Sequence, residues 1–215
     1  MRRRTGLRQL LITAGAALLA GSSCVWAASA EHYPSRPVRL VLPFPPGGGA
    51  DAVARIITPK LYEALGQQWV VDNRGGASGT IAAGIVARAE PDGYTVFQGF
   101  STTLTVAPLL YQLPFDVTKD LIPIVTLTAG QYMLVLHPTV KADNLKEFIA
   151  FAKAQPGSLN YASAGLGSPL NLAAELFKAR TGIAMTHVPY KGGGPASVAV
   201  LAGEVQVMFG SLPSV

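Results

Sequence analysis

The sequence predicts an α/β fold of two lobes, each a largely parallel sheet with helices on its faces and a ligand cleft between the lobes. Short β-branched apolar runs alternate with helix-period runs along the whole chain. Glycine-rich or small hydroxylated turns follow the strand-like runs again and again. The stretch from Pro108 to Pro123, with its three prolines, interrupts the rhythm midway and reads as a crossover from one lobe to the next.

In order, Val38 to Phe44 reads as a buried strand. Ala50 to Leu65 follows at helical spacing, with Ala54, Ile57, Leu61 and Leu65 on one face and Gly66 as a left-handed cap. Gln68 to Asp72 is a second strand. Thr80 to Ala89 is a helix stopped by the Pro91-Asp92-Gly93 turn, and Tyr94 to Phe97 is a third strand. Beyond the crossover, Leu121 to Leu127 and Tyr132 to Leu136 read as strands and Leu145 to Ala154 as a helix closed by Pro156-Gly157. Leu159 to Ala162, Leu170 to Ala179, Ala184 to Val188, Ala196 to Ala202 and Val205 to Phe209 continue as strand, helix, strand, helix, strand, repeating the design of the first half. Ser211 to Ser214 then has the composition of another helix start.

The first thirty residues are expected to be an export signal. Arg2, Arg3, Arg4 and Arg8 are basic, Leu10 to Leu19 is almost wholly apolar, and Ala28-Ser29-Ala30 offers small residues for cleavage after Ala30. The apolar run is short for a membrane span, which needs ~20 residues. Cys24, the single cysteine, falls in the discarded segment, so thiol catalysis, disulfides and cysteine-ligated metal are excluded from the mature part. Those thirty residues carry four arginines and no acidic residue, so the formal +5 of the chain falls to +1 without them. No basic patch remains to suggest nucleic acid or an anionic membrane as partner.

The chemistry concentrates in loops. Phe44-Pro45-Pro46-Gly47-Gly48-Gly49 joins a strand to a helix, where backbone N–H groups and a helix N-terminus favour an anion. Asp51 is placed to cap that helix. Comparable loops recur at Gly75 to Gly79, Gly99 to Thr103, Ser163 to Ser168 and Lys191 to Gly194. In open α/β sheets such loops line the carboxyl edge, where ligands bind. Two sets facing each other would hold a small organic anion with amides and hydroxyls. A rival reading is an exported dinucleotide-binding oxidoreductase: Gly47-x-Gly49-x-x-Ala52 matches the relaxed fingerprint, and Asp72 ends the next strand. The stiff Pro45-Pro46 and the export signal weigh against it.

No other chemistry is well supported. His32, His137 and His187 lack partners at metal-ligand spacing, so no metal and no cofactor is expected. No Gly-x-Ser-x-Gly elbow is present. Asp72, Asp92, Asp116 and Asp120 read as capping or solvated groups, while Trp69, Tyr132 and Met133 read as core.

Five blocks in register resemble the Bug-type solute-binding proteins of tripartite tricarboxylate transporters. They are Tyr33 to Pro37 leading into Leu42 to Asp51, Asp72 to Ala77, Pro91 to Thr95, Leu159 to Gly165, and His187 to Gly193. The resemblance spans Tyr33 to Val215. It implies a periplasmic binding protein fold of type II, without catalysis, whose two lobes (residues 31–107 and 108–215) close on a small carboxylate. It further implies a monomer that presents its ligand to membrane transporter subunits or to a sensor protein. The contacts it implies are Phe44, Gly48, Gly49, Ser101 and Thr102 from the first lobe, and Ser163, Ala164, Gly165 and Ser168 from the second. Asp51 is expected to support its loop. Gly210 after Met208-Phe209 and Ala107 before Pro108 depart from the family pattern, which has Asp and Asn there. Family members also run longer and return to complete the first lobe. Lacking that second half of lobe 1, this chain is expected to be poorly stable and to bind weakly.

Overall fold

The computed structural model describes residues 33–212, so the expected signal segment, Cys24, His32 and the end of the Ser211–Ser214 stretch lie outside it. From Pro34 onward the described residues belong to one compact unit. They form β1 (Val38–Leu42), α1 (Gly49–Leu65), β2 (Trp69–Asn73), a 3-10 turn (Ala77–Gly79), α2 (Thr80–Ala87), β3 (Thr95–Phe97), α3 (Ser101–Thr105) and α4 (Ala107–Leu110). Then follow β4 (Tyr132–Leu136), α5 (Leu145–Ala154), β5 (Leu159–Ser163), α6 (Pro169–Thr181), β6 (Met185–Pro189), α7 (Gly193–Leu201) and β7 (Val207–Ser211).

The first sheet has the order β2-β1-β3 and is all parallel, with Leu40 opposite Val71 and Val96. Its central strand is covered on both faces: Val38, Val41 and Leu42 are wholly inaccessible and Leu40 nearly so. That explains its unbroken apolar run. The second sheet, β4-β7-β5-β6, is mixed. β5 runs parallel to β6 and β7, whereas β4 is antiparallel to β7, so the second half does not copy the first.

Local chemistry sets the helix ends. Asn144 Oδ1 accepts from the Glu147 N–H at 3.0 Å, and Glu147 Oε2 accepts from the Asp143 N–H at 3.0 Å. This reciprocal cap starts α5 at Leu145. Gly66 (φ +72°) and Gly182 (φ +71°) close α1 and α6 in the left-handed conformation. Pro59 lies inside α1 without ending it.

Two apolar clusters hold the fold. One lies within the second sheet, where Phe148, Tyr161, Ala174 and Val207 are fully buried and Phe177 contacts the Phe148 and Phe209 rings. The other joins Leu40, Leu42, Phe44 and Ala54 of the first half to Ala162, Leu170, Ala196 and Met208 of the second. The two sheets therefore share a core where their loops meet.

Two expectations are corrected. Leu121 to Leu127 is not a strand: among the described residues it has no ladder partner, and Ile122, Ile124 and Val125 are 83%, 79% and 71% exposed. Its β-branched composition sets a preference that only a neighbouring strand can realise. Tyr132 and Met133 are also more exposed than core residues, because β4 is an edge strand.

Candidate functional site

Glycine brings the two sets of loops together. A Cβ on Gly194 would lie 3.2 Å from the Gly47 carbonyl carbon and oxygen, and one on Gly48 would lie 3.5 Å from the Gly194 nitrogen. A Cβ on Gly192 would meet the Pro45 ring at 2.9 Å. At Gly194 and Gly192 a side chain would crowd its neighbour, whereas at Gly48 it would only come into contact. Phe44 is buried beside this junction and meets Phe100 edge-to-face, with ring centroids 5.3 Å apart.

Asp51 fixes the first loop. Its buried carboxylate accepts from the Gly47 N–H at 3.2 Å, from Arg55 Nε at 2.8 Å and from Asn73 Nδ2 at 3.3 Å. The same Asn73 amide donates to the Phe44 carbonyl at 2.9 Å. The hydrogen bond from Arg55 chiefly holds the Asp51 carboxyl below the usual carboxylate range. Asp51 thus ties the loop down through Gly47 and does not cap the helix, whose first residue follows Gly48 with no side-chain cap.

A second bridge involves residues that had no individual role in the sequence reading. Ala77 (φ +45°) and Ser78 (φ +53°) both adopt left-handed backbone conformations, which are uncommon without glycine and cluster at functional sites. Thr103 Oγ1 donates to the Ser78 carbonyl at 2.9 Å. Ser78, itself buried, donates its hydroxyl to the Leu166 carbonyl, which also accepts from the Tyr111 hydroxyl at 3.0 Å. Gly165 sits against Ser78: a Cβ there would lie 3.2 Å from the Ser78 hydroxyl. The signal in the sequence was Gly75-Gly76-Ala77-Ser78-Gly79 itself, because its flanking glycines (Gly76 φ +137°, Gly79 φ +92°) permit the turn.

The expected contact residues fall into two groups. Phe44, Gly48 and Gly49 lie at the glycine junction, and Ala164 and Gly165 lie in the facing loop. Thr102 has a buried hydroxyl with no hydrogen-bond partner among the described residues. Such a group is costly unless a ligand or water completes it. The serines differ. Ser101 is exposed at the start of α3. Ser168 caps α6 by accepting from the Asn171 N–H at 3.3 Å, and Ser163 is held 2.6 Å from His187 Nε2. The hydroxyls of Ser163 and Ser168, both wholly buried, are therefore engaged within the protein, Ser163 by His187 of β6 and Ser168 by the start of α6.

A cleft of about 490 Å³ flanks the junction, lined by Pro46, Gly47, Tyr190, Gly194 and Pro195 with Glu204 among its walls. That carboxylate disfavours an anion on this side. The dinucleotide fingerprint also fails on geometry. Burial alone would raise the Asp72 pKa, but hydrogen bonds from Arg39 and Arg74 hold it low, so this carboxylate is already paired. Gly194 occupies the approach to Gly47 and Gly48. Among the described residues no group of three His, Cys, Asp or Glu is arranged to hold a metal ion, and no helix is long and apolar enough to cross a membrane.

Two α/β halves meeting through glycine-rich loops at the carboxyl ends of their strands define a solute-binding fold. The chain belongs to the tripartite tricarboxylate transporter family of receptors, which it matches over residues 53–215. BugT of Bordetella pertussis is 41% identical over 189 residues, covering 87% of this chain and 58% of the relative. Among solved structures, a Rhodopseudomonas palustris protein with adipate is 33% identical with a TM-score of 0.77, covering 85% of this chain and 61% of the other. MatC from the same organism, with bound malate, is 36% identical with a TM-score of 0.77, covering 83% and 61%. The periplasmic binding protein BugD gives 32% identity and a TM-score of 0.76, covering 84% and 60%. The chain thus spans about three-fifths of the length of these relatives.

Proposed function

We propose that this protein is a non-catalytic periplasmic receptor that captures a small organic carboxylate and presents it, as a monomer, to the membrane subunits of a transporter. One observation carries the reading. Uncharged, glycine-rich loops from two facing sheets converge where the α1 N-terminus and the unpartnered Thr102 hydroxyl can receive an anion. The adipate and malate held by the two Rhodopseudomonas relatives support the ligand class. In this reading the division between lobes falls near Ala107 and Pro108, and Phe44, Gly48, Gly49 and Thr102 face Ala164 and Gly165 across the ligand. Ser163 and Ser168 shape the second loop, and Ser101 takes the rim.

Asp51 supports the loop from behind, so ligand charge meets backbone dipoles and not a fixed cation. This arrangement suits a ligand that must be released again, because no buried ion pair has to be broken. The test is calorimetric titration of the purified protein with a panel of di-, tri- and aromatic carboxylates. Saturable binding of one ligand per chain is expected for at least one member. Absence of saturable heat across the panel, with the protein folded by circular dichroism, refutes the reading.

A further inference from the structure

Behind the 163–168 loop lies a polar cluster that ligand capture, as described, does not use. Tyr161 of β5 is wholly buried and stacks on His187 of β6, with ring centroids 4.9 Å apart. Its hydroxyl donates to Glu175 Oε1 at 2.5 Å and accepts from Asn171 Nδ2 at 2.8 Å. Asn171 Oδ1 in turn accepts from the Gly167 N–H at 2.9 Å. On the other side of the stack, His187 Nε2 lies 2.6 Å from Ser163 Oγ, which accepts from the Gly165 N–H at 3.0 Å. The two loop amides, at Gly165 and Gly167, are therefore both held by side chains of this one cluster.

We propose that His187 is a positioning residue for the candidate ligand loop, acting through Ser163 on the Gly165 peptide, and that its protonation weakens ligand capture. The inference rests on the receptor reading and deepens it. With a neutral ring carrying its proton on Nδ1, Nε2 accepts the Ser163 hydroxyl proton and leaves the Ser163 oxygen free to accept from Gly165. With a protonated ring, Nε2–H donates to the Ser163 oxygen, and the hydroxyl proton must turn elsewhere. The Gly165 carbonyl, 3.2 Å from Ser163 Oγ, is within its reach. Drawing that carbonyl in rotates the 165–166 peptide, and the next peptide along carries the Leu166 carbonyl that accepts from Ser78 and Tyr111.

The charged and titratable groups facing the imidazole are Glu175 and Lys178 of α6 and Tyr161 of β5. Lys178 Nζ is paired with Glu175 at 2.8 Å, so the two charges largely cancel at the ring. Burial of the ring lowers the His187 pKa, with Glu175 opposing and Lys178 assisting. The ring is therefore neutral at neutral pH and takes up its proton only below the ordinary histidine range.

The test pairs nuclear magnetic resonance with calorimetry on the full chain, using malate and adipate as probes. In ligand-free protein the Gly165 amide is expected to shift with the same midpoint as the His187 ring and to lose that pH dependence in His187→Gln. Binding is expected to weaken about fivefold between about pH 7.5 and the pH at which the resonances show the His187 ring protonated. In His187→Gln, whose amide oxygen can still accept from Ser163, binding should stay near the wild-type value at the higher pH and become independent of pH. A Gly165 amide unmoved by His187 titration, or equal affinity at both pH values in protein that does bind, overturns the proposal. If neither acid binds while the Gly165 coupling is intact, the probe class is refuted and the positioning role of His187 is upheld.

Discussion

Replacing Asp51 by alanine tests whether the first loop is held by its carboxylate. Asp51 is 5% exposed, and its carboxylate receives the Gly47 N–H, the Asn73 amide and the Arg55 guanidinium. Hydrogen bonds to a charged group contribute about 1.5–3 kcal/mol each. Three facts reduce the sum. Gly47 is exposed and can be rehydrated, Asn73 keeps its bond to the Phe44 carbonyl, and Arg55 is mostly in solvent. The net loss expected for Asp51→Ala is therefore about 2 kcal/mol.

With a urea slope of about 2 kcal/mol/M, the unfolding midpoint falls by about 1 M. Asp51→Asn, which retains an acceptor for Gly47, should lose about half as much. The pH dependence follows from the lowered pKa. The unfolded carboxyl binds protons near pH ~4 while the folded one still does not. The stabilisation is thus full above that range and is lost as pH falls through and below it. The gap between wild type and Asp51→Ala should narrow on acidification. Urea titrations followed by circular dichroism at neutral and acidic pH read all three quantities. A loss below about 0.5 kcal/mol at neutral pH, with unchanged carboxylate affinity, would refute the anchoring role.

Other perturbations address the junction between the halves. Gly194→Ala puts a Cβ 3.2 Å from the Gly47 backbone, which cannot swing aside as a flexible side chain could, so carboxylate affinity should fall about tenfold (~1.4 kcal/mol). Unchanged affinity in calorimetry means the loops are not held at this spacing when ligand is bound. Ser78→Ala combined with Tyr111→Phe strips the Leu166 carbonyl of both hydroxyl donors and should weaken binding about fivefold (~1 kcal/mol), with a larger radius of gyration in small-angle scattering. No change in either readout shows that this bridge does not hold the halves together. Because His187 has a lowered pKa in the folded chain, the unfolded chain binds the extra proton first as pH drops below about 6.5. Wild-type stability should therefore decline there more than that of His187→Gln, as measured by urea midpoints.

Much of the architecture was legible because it is local. The Asn144–Glu147 pair, the unbroken apolar run of Tyr132–Leu136 and the Gly66 and Gly182 stops each act within a few residues. The strand-loop-helix order of the glycine loops was equally readable from neighbouring residues. Partners distant in sequence were not. Ser163 and Ser168 look like ligand hydroxyls in sequence, yet His187 is 24 positions from Ser163 in the chain and 2.6 Å from it in space. Nothing near Ser78 in the sequence reveals that its hydroxyl reaches Leu166, 88 residues away.

The same distinction separates the two β-prone runs after the crossover. Tyr132–Leu136 meets β7 and becomes a strand running opposite to its neighbour. Leu121 to Leu127, of comparable composition, finds no partner among the described residues and stays open to solvent. By itself the sequence determined which segments favour strand or helix and which loops can approach an anion, since those follow from side-chain shape and backbone freedom. Only the tertiary structure decided which strands pair, in which direction, and which hydroxyls remain for a ligand. Hydrogen bonds are made between groups that meet in space, and the fold alone brings them together.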